Sequence, residues 1–299
     1  MTSPCASGAG LRPHEANDWT HCPVCGGPLG SRLARINDGW WLVVCEGCDA
    51  GVTWPKPTLV DRQKQWADLY DLGVRVSTYT ARAREFRERW NQILALAQQD
   101  LGRAPESVLD VGCALGHFLA HARTRGVRRV MGIESDPACR EWASSQLGVE
   151  VRGDLASLRG CKPFDLITMM DVLEHMEDPV SFLASAAGLL APDGVVVLQL
   201  PNRRSVMASR AGSRWSWYSA PDHLIHLSPA SVRRLATQAG LQLKRPRTGD
   251  MLGDYVLDVY PRVGRLGLLL RRVPPGWRLW PREDGLGGLI QAVLVARTE

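Results

Sequence analysis

An α/β fold, built as a doubly wound and mostly parallel sheet behind a small N-terminal module, is the architecture that this 299-residue sequence predicts. Three observations carry it. From Ser107 onward, short apolar runs alternate with helical patterns, as they do where parallel strands are covered on both faces. Asp-Pro and Ser-Pro pairs open the helical stretches and glycines close them. Upstream, two CxxC pairs lie in a stretch of ~40 residues, too short to build much core of its own.

Composition narrows the class. A hydrophobic share of 45% can fill a sizeable core, and a charged share of 22% argues against wholesale disorder. No apolar run reaches the ~18 residues of a membrane span. The opening MTSPCASGAGLRPHE lacks the apolar centre of a secretory signal, so a cytoplasmic placement is expected. Net charge is +5, and residues 203–247 hold nine Arg or Lys against one acid, Asp222. That density suits either an anionic ligand or a solvated face.

In chain order, residues 1–20 read as a flexible N-terminus and 21–58 as a zinc-binding ribbon. Cys22 and Cys25 (HCPVCGG) and Cys45 and Cys48 (VCEGCDAG) are separated by nineteen residues. Each pair suits a tight knuckle whose small residues turn backbone N–H groups toward thiolates, and four thiolates close a tetrahedron around Zn²⁺. Four protein ligands leave no open position, so the ion is expected to be structural. Trp40–Val44 reads as a ribbon strand. Cys5, Cys113, Cys139 and Cys161 stand alone and read as incidental or packing thiols. The prolines of TWPKPT predict an extended link. A helical linker follows over 59–103, with Gly73 and the β-branched run Val74–Thr80 expected to break it in two.

Residues 104–299 form the main domain. Strands are expected at 107–111, 129–134, 150–152, 164–170 and 195–200, the last entered through an APDG turn. Helices are expected from His117, from Asp136-Pro137 to Gly148, from Asp178-Pro179 to near Leu190, and from Ser228-Pro229 to Gly240. LQLKR and 289–297 complete the strands. Between them, 250–288 reads as an insertion, with Leu266, Leu268, Leu269 and Leu270 among arginines as an amphipathic cap or surface helix.

Ligands of such sheets sit beyond the carboxyl ends of the strands. There LDVGCALG offers Asp110, Gly112, Ala114 and Gly116, with glycines four apart rather than in a GxGxxG spacing. Glu134 ends the second strand, where a carboxylate suits a ribose diol, and Asp154 follows the third, within reach of a purine amino group. Acids at successive strand ends repel a pyrophosphate and favour a cationic nucleoside.

LDVGCALGHFL, GIESD, the Gly153-Asp154 pair, FDLITMMDVLEHMEDP and APDG together resemble class I S-adenosylmethionine-dependent methyltransferases over residues 105–249. With the cysteine knuckles, WPKPT and the Trp/Tyr-bearing helix, the chain is similar to the zinc-ribbon methyltransferases of natural-product, deoxysugar and polysaccharide pathways. The resemblance implies a Rossmann-like fold and S-adenosylmethionine as cofactor. It implies Asp110, Gly112, Cys113 and Gly116 at the methionine end, Glu134 and Ser135 at the ribose, Asp154 at adenine, and Met170 and Asp171 near the sulfonium. Ala114 replaces a glycine common in the family and fits there if its φ is negative.

Methyl transfer needs an in-line nucleophile and, for a hydroxyl or acidic carbon, a base. His175 follows the fourth strand. Asp222 and His223 align with an acid–His pair that sugar C-methyltransferases place at the substrate, and the acid is expected to raise the basicity of His223. Ala220 and Pro221 replace the Tyr–His that often precedes that pair. Trp215, Trp217, Tyr218 and His226 suggest a substrate wall, and Arg203, Arg204, Arg210 and Arg214 a clamp for phosphate or carboxylate. The expected partner is a small-molecule acceptor, natural-product or sugar-like, anionic or carrier-linked. An rRNA or tRNA methyltransferase and a non-methylating protein on the same fold are the alternatives. The few basic residues in the first sixty disfavour nucleic acid.

Overall fold

The computed structural model describes residues 18–37, 39–69, 71–249 and 287–297. Cys5, the first seventeen residues of the expected N-terminal tail and the leucines of the expected insertion lie outside the described residues.

The main sheet has seven strands: β4 (Ser107–Val111), β5 (Arg129–Ile133), β6 (Val151–Arg152), β7 (Phe164–Met170), β8 (Leu190–Pro201), β10 (Leu241–Gly249) and β11 (Leu289–Ala296). Their order is β10-β11-β8-β7-β4-β5-β6. Strands β4 to β8 run parallel to one another, and β11 is antiparallel to both its neighbours. This is the mixed, mostly parallel, doubly wound sheet expected from the alternation of elements.

Helices α3 (Ala83–Leu101), α4 (His117–Thr124), α5 (Pro137–Leu147), α6 (Pro179–Ala187) and α8 (Pro229–Gln238) cover it. Successive strand residues point to opposite faces, so each strand feeds two cores. Val108, Leu166, Val195, Val197 and Val293 pack with Trp90 and Ile93 of α3 and Phe118 of α4. Leu109, Ile167, Val196, Leu198 and Leu294 pack with Leu183 of α6 and Leu235 of α8. Local chemistry sets the ends. Asp136 and Asp178 cap α5 and α6 ahead of prolines, and Ser228 and Ser231 form a reciprocal capping box on α8.

The linker departs from expectation. It forms three helices, α1 (Leu59–Leu69), α2 (Leu72–Ala81) and α3. The run expected to break the helix is α2 itself, started by Asp71, whose side chain accepts from Val74 N at 3.0 Å. A cap and neighbouring packing outweigh the modest helix penalty of β-branched residues. The APDG segment likewise lies within β8 rather than ahead of it.

The ribbon is larger than its one expected strand. β1 (Leu29–Asn37), β2 (Trp40–Cys45) and β3 (Gly51–Trp54) form an antiparallel sheet. A fourth strand, β9 (Ile225–His226), comes from the main domain and pairs with β3. Helix α7 (Val206–Ala211) packs Met207, Ala208 and Ala211 onto Ile36 and Leu42 of the ribbon.

Candidate active site

At the carboxyl ends of β4 and β7 lies a crevice open to solvent. Asp110, Gly112, Cys113, Met170 and Asp171, named from the sequence as cofactor-binding residues, line it. Tyr79, Phe86 and Trp90 line it from α2 and α3, with Arg89 and Gln199. These were not legible in the sequence as site residues, because only the tertiary fold brings the linker over the strand ends.

The turn after β4 is tightly built. Gly112 has φ +74°, and a Cβ there would lie 2.5 Å from Val172 Cγ2. Ala114, expected at negative φ, has φ +46°. That left-handed position costs a non-glycine residue about 1 kcal/mol or more. It is held by Glu134, whose Oε2 accepts from Ala114 N at 2.9 Å and whose Oε1 accepts from Asp136 N at 3.0 Å. Glu134 thus clasps the glycine turn from the end of β5. Ser135 is exposed beside it, and Gly116, at φ +70°, caps α4. Asp154 is exposed and caps a short 3-10 turn through Ser157 N at 2.8 Å.

Asp110 is buried and accepts from Thr168 Oγ1 at 2.6 Å. Burial pushes its carboxyl up to about 7. Asp171 also has φ +57°; its Oδ2 lies 3.6 Å from Arg89, while its buried Oδ1 has no hydrogen-bond partner among the described residues. The crevice therefore combines aromatic faces, carboxylates and one guanidinium. That set fits a cationic sulfonium nucleoside with an amino-acid tail: π faces and carboxylates for the cation, Asp171 for an ammonium, Arg89 for a carboxylate.

Beyond Asp171, a 3-10 turn at Leu173–His175 meets the segment that leads into β9. Here the acid expected to serve His223 serves His175. Asp222 Oδ1 lies 3.2 Å from His175 Nδ1 and accepts from Trp66 Nε1 at 2.6 Å. Neighbouring residues project apart along an irregular backbone, so adjacency in sequence did not become a contact. His223 Nδ1 is instead 2.9 Å from the Trp217 carbonyl, and its ring stands edge-on to His175 with centroids 4.7 Å apart. Electrostatics separate the two. Despite opposing desolvation, the hydrogen bond to Asp222 and the charge of Glu174 raise His175 to about 9. Burial, then the neighbouring His175, lowers His223 to about 3. Asp222 sits well below the usual carboxylate range because His175 and Trp66 bond it. Glu174 is buried without a hydrogen-bond partner among the described residues, and burial pushes it up to about 8.

The expected substrate wall is largely core. Trp215 and Tyr218 are buried against Ile36 and Leu42 of the ribbon, and only Trp217 keeps partial exposure. His226 is buried on β9 with Nε2 2.9 Å from Thr53 Oγ1. Of the four expected clamp arginines, Arg203 and Arg204 are bound to Asp49 of the second cysteine knuckle. Arg203 donates to the Asp49 carbonyl at 2.7 Å and to its carboxylate, and Arg204 donates to the Asp49 carboxylate at 2.6 and 2.9 Å. They tie the second cysteine knuckle to the loop after β8.

The four knuckle sulfurs lie within 4.8 Å of one another. Cys22–Cys48 and Cys25–Cys45 are each 3.5 Å apart, far beyond a disulfide bond. A tetrahedron of thiolates at ~2.3 Å from a zinc ion has edges of about 3.8 Å, so the donor set fits such an ion. Gly27 N donates to Cys25 Sγ at 3.4 Å, and a Cβ on Gly27 would crowd that sulfur at 3.3 Å.

A family model described as Methyltransferase domain matches residues 80–245. The chain is 33% identical over 157 residues to the ubiquinone biosynthesis O-methyltransferase of Thiobacillus denitrificans, covering 47% of this chain and 67% of that one. It is 28% identical over 153 residues to the enzyme of the same name from Maricaulis maris, covering 46% and 60%. The chain thus spans about two thirds or less of these curated relatives. Among solved structures, the plantazolicin methyltransferase BpumL in complex with SAH superposes with a TM-score of 0.54 at 18% identity, covering 80% of this chain and 96% of that one. An S-adenosylmethionine-dependent methyltransferase from Clostridium acetobutylicum superposes at 0.50 with 10% identity, covering 77% and 100%. These likenesses are of fold. With more than half of its length matched by the family model, and with a crevice suited to the cofactor, the chain belongs to the methyltransferase domain family and is an S-adenosylmethionine-dependent methyltransferase.

Proposed function

We propose that the protein methylates a hydroxyl oxygen of a small-molecule acceptor, natural-product or sugar-like, with the His175–Asp222 pair handling the proton. The carrying observation is that pair, a buried Asp222 bonded to Nδ1 of the partly buried His175, which follows the crevice residue Asp171 by four positions. The O-methyltransferase names of the relatives support oxygen as the acceptor atom over carbon or nitrogen.

When bound, S-adenosylmethionine supplies the methyl group, which leaves a sulfonium that becomes a neutral thioether. Glu134, the glycine turn, Asp171 and Arg89 hold that cofactor. His175 takes the acceptor's hydroxyl proton on Nε2, because Nδ1 is committed to Asp222, and Asp222 stabilises the imidazolium that results. His223, expected to be the base, is assigned here to hold the His175 ring: its low proton affinity makes it a poor base at neutral pH. We further propose that Cys22, Cys25, Cys45 and Cys48 bind a structural zinc ion, and that the protein works in the cytoplasm. Among the described residues no helix is long and apolar enough to cross a membrane.

The test is calorimetry with S-adenosylmethionine followed by the pH dependence of turnover. Cofactor should bind, and kcat/KM should rise with pH and level near 9 as His175 loses its proton. Asp222→Asn should move that break toward the ordinary histidine value near ~6.5, since the carboxylate that raises it is gone. Absent cofactor binding favours a non-methylating protein. Steep salt dependence of RNA binding favours a nucleic-acid substrate.

A further inference from the structure

We propose that Thr53, on ribbon strand β3, is a positioning residue of the acceptor site, fixing the segment that presents Asp222 to His175. This rests on the assignment of the His175–Asp222 pair above.

Thr53 is fully buried and bonds that segment at three points. Its hydroxyl lies 2.6 Å from the His223 carbonyl and 2.9 Å from His226 Nε2, and its backbone N–H donates to the Leu224 carbonyl at 2.9 Å. A hydroxyl has one proton, and a carbonyl can only accept. The proton therefore goes to His223 O, and Thr53 Oγ1 accepts from His226 Nε2–H. That fixes Nε2 as the protonated nitrogen of the His226 ring, and burial, which lowers its proton affinity, keeps the ring neutral. Gly51 and Val52 pair with His226 and Ile225 just beyond. On the other side of the segment, α1 holds Asp222 directly: Trp66 Nε1 donates to its carboxylate at 2.6 Å, and its own N–H donates to Gln65 Oε1 at 3.0 Å. Asp222 is thus set between a helix that grips its side chain and a ribbon strand that grips the next four residues.

The charged and titratable groups facing His175 are Asp222 and His223 from this segment, Glu174 and Asp171 from its own turn and the end of β7, and Arg62 of α1, which bonds its carbonyl at 3.0 Å. Only Asp222 and His223 depend on Thr53 for their place. Losing the hydroxyl would leave the His223 carbonyl and His226 Nε2–H unpaired in a buried site, and the segment would shift to satisfy them.

The experiment compares the full-length, zinc-loaded enzyme with Thr53→Val, which keeps the shape and removes the hydroxyl, and Thr53→Ser, which restores it. Readouts are cofactor affinity, kcat, its pH profile, and the ring ¹⁵N shifts of His226. In Thr53→Val, kcat should fall about 10- to 100-fold with cofactor affinity within twofold, and the alkaline break should move down. The Nε2–H signature of His226 should weaken in Thr53→Val, and Thr53→Ser should restore all of these. Unchanged kcat and pH break in Thr53→Val would overturn the proposal, as would a Thr53→Ser enzyme equal to Thr53→Val. If Thr53→Val does not fold, Thr53→Ala and Thr53→Ser are compared by the same readouts, and equal behaviour overturns it. Failure of the wild-type enzyme to bind cofactor would instead sink the functional reading, leaving the His226 ring signal to judge Thr53.

Discussion

The seven-stranded sheet and the cysteine ribbon differ in what fills their interiors. Val108, Leu109, Leu166 and Ile167 are fully buried between two helical layers, and the sheet draws cohesion from apolar area. Among the described ribbon residues the buried apolar set is Cys22, Val24, Ile36, Leu42, Val43, Cys45, Cys48, Ala50 and Val52, a small core of which three members are knuckle cysteines. A module of that size leans on neighbours such as Trp215 and Tyr218 and, on the proposal above, on a zinc ion held by its four cysteines. One region is therefore self-sufficient and the other conditional, although the conditional one holds the acceptor segment.

The most severe way to break that contrast is Cys45→Ser. It should abolish metal retention and cut turnover by about 100-fold or more, while cofactor binding on the sheet changes little. Metal analysis beside calorimetry checks this, and a variant that keeps both ion and turnover would remove the contrast. Next in size is Leu109→Ala, expected to lower global stability by about 2–5 kcal/mol in denaturant melts without affecting metal content. The mildest is acid. Asp165 accepts from Ser107 N at 3.0 Å and Glu106 N at 2.8 Å and pairs with Arg103, which hold it at about 2 against its ordinary value near 3.8. Its contribution is complete above pH ~4 and lost as pH falls through about 2. The ribbon should therefore release metal and melt at a higher pH than the sheet, and Asp165→Asn should flatten the sheet's acid limb. Simultaneous acid melting of both regions would show that they are one cooperative unit.

Where structure is local, the sequence was legible. Strands β4 and β7 announce themselves as short, mostly apolar runs, and helices α5, α6 and α8 carry their caps in Asp136, Asp178 and Ser228. The crevice was legible as far as Asp110, Gly112, Cys113, Met170 and Asp171, because the strand ends fix them. Tyr79, Phe86 and Arg89 were not, since nothing in a linker helix says which strand ends it will cover. Helix α2 was hidden by its valines and threonines. The pairing of Asp222 with His175, 47 residues away, and of β9 with β3 depends on long-range approach, which no local pattern encodes. Trp215 and Tyr218 looked like a ligand wall for the same reason: the ribbon residues that bury them lie far upstream.

The contact between Thr53 and His223 spans 170 residues of chain. During synthesis the knuckles can close around an ion as soon as they leave the ribosome, whereas the strand they support must wait, one edge unpaired, for a partner made much later. Seating of the segment that carries Asp222 is thereby delayed until β4 to β8 have been made, and a product truncated after β8 but before Asp222 would keep the crevice residues through Gln199 yet lack the carboxylate that pairs with His175.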